Sequence, residues 1–285
     1  MWFPREHLYT SGSDLTSAFL VNSRRDIKIS GKNHGGKVLL LDLDGTLGFS
    51  LIPEEEAISE TLEFISRKLA KRFNRAVSIE ELHALYRETK REQYSIYHLN
   101  PKRHNKDLRW EMLLNKLESK VGVRLPEDFR DEVRMRYWSS FESKAKPYPD
   151  AQETLEKLMG GFVVVIVTNN DLAEAQRKLR IFGLKEGKHY DILITSENFN
   201  VCKPSPDFLK KLLPFLEQKL NCKVTLDNVV IIGDDPKNDI AWARSVGAKA
   251  IRIKRDLLAD LEPGSEAEKA DHVIENLSDL LNILR

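Results

Sequence analysis

The chain has 285 residues, 41% of them hydrophobic and 31% charged, enough to bury one large core and carry a second module. Its 45 Lys+Arg against 44 Asp+Glu leave a formal net charge of +1, so no whole-protein field argues for nucleic acid or a membrane surface as partner. The two cysteines, Cys202 and Cys222, are not spaced as a metal or redox pair, which points to a reducing, cytoplasmic setting.

Residues 1–35 read as an N-terminal extension with an aromatic start, a Ser-Gly-Ser turn and a candidate strand at Ile27-Lys-Ile29. Such an arm is either loosely held or packed on a sheet edge or a second subunit. It lacks a basic stretch followed by an apolar one, and the longest apolar run, Phe162 to Val167, is too short to span a bilayer.

The first strong signal is Lys37-Val-Leu-Leu-Leu-Asp42-Leu-Asp44-Gly-Thr-Leu47. A short apolar run ending in two carboxylates and a Gly-Thr turn predicts a buried parallel strand that delivers charge into a crevice. Asp42 and Asp44 would share one side of the chain, and like charges so close need a cation or a shared proton.

Helical periodicity then takes over. Glu54 to Phe73, Ser78 to Tyr94, Leu108 to Val121 and Pro126 to Phe141 each carry apolar residues three and four apart. Ser78-Ile-Glu-Glu81 has the pattern of a capping box. From Pro147 strands and helices alternate. Strands are expected at Phe162–Val167, Asp191–Ile194, Val229–Ile232, Ala250–Ile253 and His272–Ile274, with helices from Ala151, over Asp171–Phe182, from Pro206 and over Ile240–Val246. That alternation predicts βαβ crossovers and a parallel sheet covered on both faces, which the first strand must join. The fold class is therefore α/β, a doubly wound parallel sheet with an inserted all-helical unit. The core comprises residues 36–52 and 147–285, and the insert residues 53–146.

Ligands of open parallel sheets collect beyond the carboxyl ends of the strands. Four such ends are polar: Asp42-Leu-Asp44, Thr168-Asn-Asn170, Lys203, and Gly233-Asp-Asp235 with Asp239. Converging carboxylates suit a hard cation such as magnesium, which keeps several waters and leaves room for a phosphate oxygen. Thr168 and Asn169 at a helix start suit an anion, and Lys203 adds positive charge for a transferring phosphoryl group. A carboxylate nucleophile would divide one hard displacement into two easier ones.

Taken in this order the motifs resemble those of the haloacid dehalogenase-like superfamily. Asp42-Leu-Asp-Gly-Thr46 matches its first motif, Val163 to Thr168 its second, Lys203-Pro-Ser-Pro206 its third and Gly233-Asp-Asp-Pro-Lys-Asn-Asp239 its fourth. The likeness covers residues 37–285 and implies a Rossmann-like core with a helical cap of the type inserted after the first motif. It implies Asp42 as nucleophile and Mg2+ ligand, and Asp44 as general acid and base whose backbone carbonyl also meets the metal. Thr168 and Asn169 would hold the phosphoryl oxygens and Lys203 would offset charge on Asp42 and the phosphate. Asp234 would bind magnesium directly, and Asp235 or Asp239 would act through water or neighbouring contacts.

A second aspartate argues for phosphoryl transfer over carbon–halogen cleavage. The expected activity is a Mg2+-dependent phosphatase acting on a small phosphorylated metabolite through an aspartyl-phosphate, in a monomer or homodimer. The alternatives are a phosphomutase on the same site or a non-catalytic phosphate-binding protein; a phosphonatase would need a Schiff-base lysine in the cap, and none is identifiable. The segment Gln93 to Arg109 is rich in basic and aromatic groups. Its Lys102, Arg103, His104, Lys106 and Arg109 are candidates to meet a second anion on the substrate, with Lys102, Arg103 and Lys106 foremost; the plainer reading is a solvated loop.

Overall fold

Val38–Leu41 forms β1, four apolar residues fully buried at the centre of a sheet. The computed structural model describes residues 37–255 and 261–284. The expected strand at Ile27–Ile29 and the extension of residues 1–35 lie outside the described residues. After β1 come β2 (Gly48–Phe49) and four helices: α1 (Leu51–Phe73), α2 (Ile79–Ile96), α3 (Lys106–Val121) and α4 (Glu127–Lys144). They are followed by β3 (Lys146–Pro147), α5 (Ala151–Leu158), β4 (Val163–Thr168), α6 (Leu172–Ile181), β5 (Ile192–Thr195) and α7 (Pro206–Leu220). The chain continues through β6 (Val229–Gly233), α8 (Ala241–Ser245), β7 (Lys249–Ile253), β8 (His272–Ile274) and α9 (Leu280–Ile283).

Six strands lie in the order β5-β4-β1-β6-β7-β8, every pairing parallel. The chain builds outward from β1 through β4 to β5, then crosses back to place β6 on the other side of β1. That reversal makes the carboxyl end of β1 the switch point where a crevice opens. Strand alternation divides the core. Leu39, Leu41, Val164 and Ile166 face one apolar cluster with α5, α6 and α9, while Val38, Leu40, Val163 and Val165 face another with α7 and α8. Each fully buried side chain of this kind contributes roughly 1.5–3 kcal/mol, which is why both faces must be covered.

The helical insert enters and leaves through a two-stranded antiparallel stem, Gly48 opposite Pro147 and Phe49 opposite Lys146. Its own core joins Leu62, Ile65 and Leu69 of α1 to Trp110, Leu113 and Leu117 of α3 and Phe129, Val133 and Tyr137 of α4. Ser78 caps α2 as its sequence pattern predicts. The hydroxyl accepts from the Glu81 amide at 3.1 Å, and the Ser78 amide donates to the Glu81 carboxylate at 3.0 Å. Helix α1 starts at Leu51, three residues before the first strongly charged stretch, and α4 runs on to Lys144, past the last of its periodic residues.

The expected helix over Ile240–Val246 is preceded by a wide π-type turn over Pro236–Ile240. Asp235 builds this turn: its carboxylate accepts from the amides of Lys237 and Asn238, and its carbonyl accepts from the amides of Asp239 and Ile240. Among the described residues no helix is long and apolar enough to cross a membrane, and Cys202 and Cys222 are both unpaired thiols.

Candidate active site

A cavity of about 480 Å³ lies between the carboxyl ends of the strands and the helical insert. The sheet contributes Asp42, Asp44, Thr168, Asn169, Lys203, Asp234, Asp235 and Asp239 to its wall. Thus every core residue singled out from the sequence reaches one space. The register explains this, since Leu41 pairs with both Ile166 and Ile232 and the next residues of three neighbouring strands emerge side by side.

Asp42 is buried and its Oδ1 lies 2.5 Å from Lys203 Nζ. The same ammonium donates to Asp239 Oδ1 at 2.7 Å and to the Val167 carbonyl at 3.1 Å. Asp42, Asp234 and Asp239 each bring a carboxylate oxygen within 4.8 Å of the others. Burial, outweighing Lys203 and reinforced by Asp239 and Asp44, pushes the Asp42 carboxyl up to about 7. Burial beside Asp42, Asp239 and Asp235 also drives Asp234 well above the usual carboxylate range. One lysine does not balance three clustered acids, so the cluster is chemically ready for a hard divalent cation that takes few protein oxygens and keeps its waters.

Two glycines permit this approach. Gly45 has φ +74°, and a Cβ there would sit 2.3 Å from Asp234 Oδ2. At Gly233 a Cβ would lie 2.3 Å from the Asp239 carboxyl carbon. The Thr46 hydroxyl donates to Asp234 Oδ1 at 3.1 Å, so the turn after Asp44 also holds the acid of β6.

Asp44 has a separate set of partners. Lys178 of α6 lies 2.8 Å from its Oδ1 and 2.9 Å from its Oδ2, and Asn170 Nδ2 donates to Oδ2 at 2.6 Å. Burial alone would raise this carboxyl, but Lys178 prevails and holds it below the usual range. Asn169 clasps the Lys203 backbone, accepting from its amide at 2.8 Å and donating to its carbonyl at 3.1 Å. Thr168 is buried and accepts from the Asn170 amide at 3.2 Å.

The candidates fall into separate groups. Asp235 reaches the cavity, but its carboxylate is occupied by the turn it caps, and the three-carboxylate cluster is Asp42, Asp234 and Asp239. The Asp44 side chain is likewise outside that cluster because Lys178 and Asn170 hold it. Of the cap candidates, Lys106 and His104 line the cavity, whereas Lys102, Arg103 and Arg109 do not. The Arg103 guanidinium stacks over Tyr94 at 4.6 Å and contacts His98, and Arg109 is buried against Gln93 and Tyr86. Lys106 Nζ pairs with Glu54 at 2.9 Å; burial would raise Glu54, yet Lys106 brings it down to about 2. For His104, burial with Lys106, Arg103 and Arg109 beside it lowers the imidazole to about 3, so the ring is neutral.

Sequence reading missed Lys178, Glu174 and Glu54, and gave Asn170 no role beyond its place in the polar strand end. Glu174 and Lys178 are four apart and thus on one helical face, but that spacing is ordinary on exposed helices. Nothing in the sequence shows that this face is buried.

Acids, a lysine and a hydroxyl gathered at the switch point of a parallel sheet make a site suited to a hard cation and an anionic ligand. Residues 37–247 match the model of the haloacid dehalogenase-like hydrolases, and the chain belongs to that family. It is 29% identical over 153 residues to a ribulose-1,5-bisphosphate 5-phosphatase of Halopiger xanaduensis, covering 52% of this chain and 61% of the relative. It is 27% identical over 250 residues to a glyceraldehyde 3-phosphate phosphatase of Methanopyrus kandleri, covering 87% of this chain and 97% of the relative. Among solved structures, a phosphatase of the same family from Thermococcus onnurineus superimposes with a TM-score of 0.59 at 26% identity, covering 87% of this chain and 97% of the other.

Proposed function

We propose that the protein is a Mg2+-dependent phosphatase that hydrolyses a small phosphomonoester through an aspartyl-phosphate on Asp42. The observation that carries this reading is the pairing of two aspartates with opposite surroundings. Asp42 shares a lysine and an acid cluster, while Asp44, two residues on, is held apart by Lys178 and Asn170. The two named phosphatase relatives act on small sugar phosphates, which agrees with a cavity of about 480 Å³.

Asp42, Asp234 and Asp239 would hold the magnesium ion, which when bound supplies positive charge against the phosphoryl oxygens. An Asp42 oxygen attacks phosphorus and the bond to the leaving oxygen breaks; Asp44, held as a carboxylate by Lys178 in the free protein, takes the proton that the substrate's monoanionic phosphate brings and passes it to that oxygen. Thr168 and Lys203 face the transferred group and offset its charge. Asp44 leaves this half-reaction as a carboxylate again, ready to take a proton from the water that releases phosphate. The helical insert serves as a cap that excludes bulk water and supplies Glu54, Tyr94, His104 and Lys106 to the far wall.

The test is release of inorganic phosphate from a panel of phosphorylated metabolites with Mg2+ present. Turnover with stoichiometric phosphate release supports the phosphatase. Movement of the phosphoryl group to a second hydroxyl without release selects a mutase, and metal binding with no turnover across the panel leaves a binding protein. Within the cap, Lys106→Ala should raise KM for the physiological substrate several-fold, a loss of about 1–2 kcal/mol of binding. Arg103→Ala should leave it within about twofold, because Arg103 does not line the cavity and its guanidinium stacks over Tyr94. Equal effects of the two changes would show that the cavity wall is assigned wrongly.

A further inference from the structure

Lys178 lies outside the four motifs, and the reaction as derived does not require it. It sits on α6 among Ala175 and Leu179, both fully packed, where an apolar residue would cover the sheet equally well. Its side chain is only 3% exposed. Taking an ammonium out of water costs several kcal/mol and is offset only by well-placed partners, so a buried ion pair here is poor evidence for a stability role. The partners define another role. Both Asp44 oxygens lie within 2.9 Å of Nζ, and Glu174 Oε1 lies at 2.6 Å. On the remaining side the Phe141 ring of the helical insert stands 5.5 Å from Nζ. The start of α6 is tied to the same insert, since Asn105 Nδ2 donates to Asp171 Oδ2 at 2.7 Å.

We propose that Lys178 is a positioning residue for Asp44: anchored by Glu174 and roofed by Phe141, it fixes the orientation in which Asp44 hands its proton to the leaving oxygen. The proposal rests on the phosphatase reading above. Lys178 itself neither gains nor loses a proton; the proton enters with the substrate's monoanionic phosphate, passes to Asp44, which the Lys178 pair holds in place as a carboxylate until then, and goes on to the departing oxygen as the phosphorus–oxygen bond breaks. Because Phe141 completes the seat, the arrangement is finished only with the insert docked on α6. Proton transfer is steeply sensitive to geometry, so loss of this anchor should cost most where the leaving group needs the proton most.

The experiment measures kcat/KM of the full-length enzyme with Mg2+ on 4-nitrophenyl phosphate and benzyl phosphate, which are similar in shape but leave with very different basicity. Lys178→Met should lower the benzyl value about a hundredfold and the nitrophenyl value less than about tenfold. In an Asp44→Asn background the same change should add less than about twofold on either substrate, because the two residues act as one unit. A uniform loss on both substrates, or a loss that multiplies the Asp44→Asn defect, overturns the proposal. Thermal melting accompanies the assay. If the single variant does not fold, Lys178→Met with Glu174→Gln, which removes one buried charge of each sign, takes its place. Asp42→Asn is assayed alongside. Retained turnover there refutes the aspartyl-phosphate reading itself, whereas a dead Asp42→Asn with an unchanged benzyl-to-nitrophenyl ratio in Lys178→Met refutes only the role of Lys178.

Discussion

Asp42→Asn is expected to abolish phosphate release from every phosphomonoester, a fall of at least about 10⁴-fold, while leaving the fold intact. The amide removes the attacking oxygen and one arm of the acid cluster but keeps the shape that packs against Lys203. Asp44→Asn should behave differently. Its loss falls on proton transfer, roughly 10²–10⁴-fold for an alkyl leaving group and much less for a nitrophenolate that departs unaided. The check is kcat/KM for both variants across leaving groups, with mass spectrometry of the quenched enzyme for a phosphoryl group on residue 42. Leaving-group dependence in Asp42→Asn, or its absence in Asp44→Asn, would reverse the two assignments.

Chelation should produce the second large effect. Without a cation, Asp42 sits at about 7 in the folded protein against 3.8 for an ordinary aspartate, and Asp234 and Asp239 are shifted the same way. A carboxyl raised on folding binds more protons in the native state than in the unfolded chain. Its contribution is therefore fully present below about pH 4 and is lost as pH rises through about 7. In EDTA this cluster should make the thermal midpoint decline across that window, with activity absent throughout. Saturating Mg2+ should cancel the decline and raise stability by about 2.7 kcal/mol at a hundredfold excess over Kd. Asp234→Asn should relieve the repulsion, making the metal-free protein more stable near pH 7 while removing the response to Mg2+. A metal-free midpoint that is flat or rises from pH 4 to pH 7 and ignores Mg2+ would sink the metal assignment; calorimetric scans decide it.

The core strands were legible because each is a short apolar run closed by a polar end, and both edges of that pattern survive folding. Phe162 and Asp191 fall one residue outside the strands assigned to them, although the Asp191 amide already donates to the Val164 carbonyl of β4. The wide turn at Pro236–Ile240 was not legible, because it depends on Asp235 capping two amides and not on any apolar period. The basic segment from Gln93 to Arg109 was legible only in part for a related reason. Charge is visible in sequence, but Arg103 and Arg109 spend theirs on Tyr94, Gln93 and Tyr86, partners that only the packed insert supplies.

By itself the sequence determined the parallel sheet, the insertion after the first strand and the acids, hydroxyl and lysine at the strand ends. Periodicity and chain order are local properties, and the crevice at a switch point follows from them. Tertiary structure alone decided which acids cluster and which stand apart. Asp42, Asp234 and Asp239 meet because Gly45 and Gly233 let the ends of β1 and β6 approach until a carboxylate oxygen of each acid lies within 4.8 Å of the others. Asp44 stays separate because a buried lysine on α6, 134 residues along the chain, reaches it first. An ion pair between residues so distant in sequence has no period and no spacing to betray it. Only the packing of α6 against the first strand and the insert brings it into being.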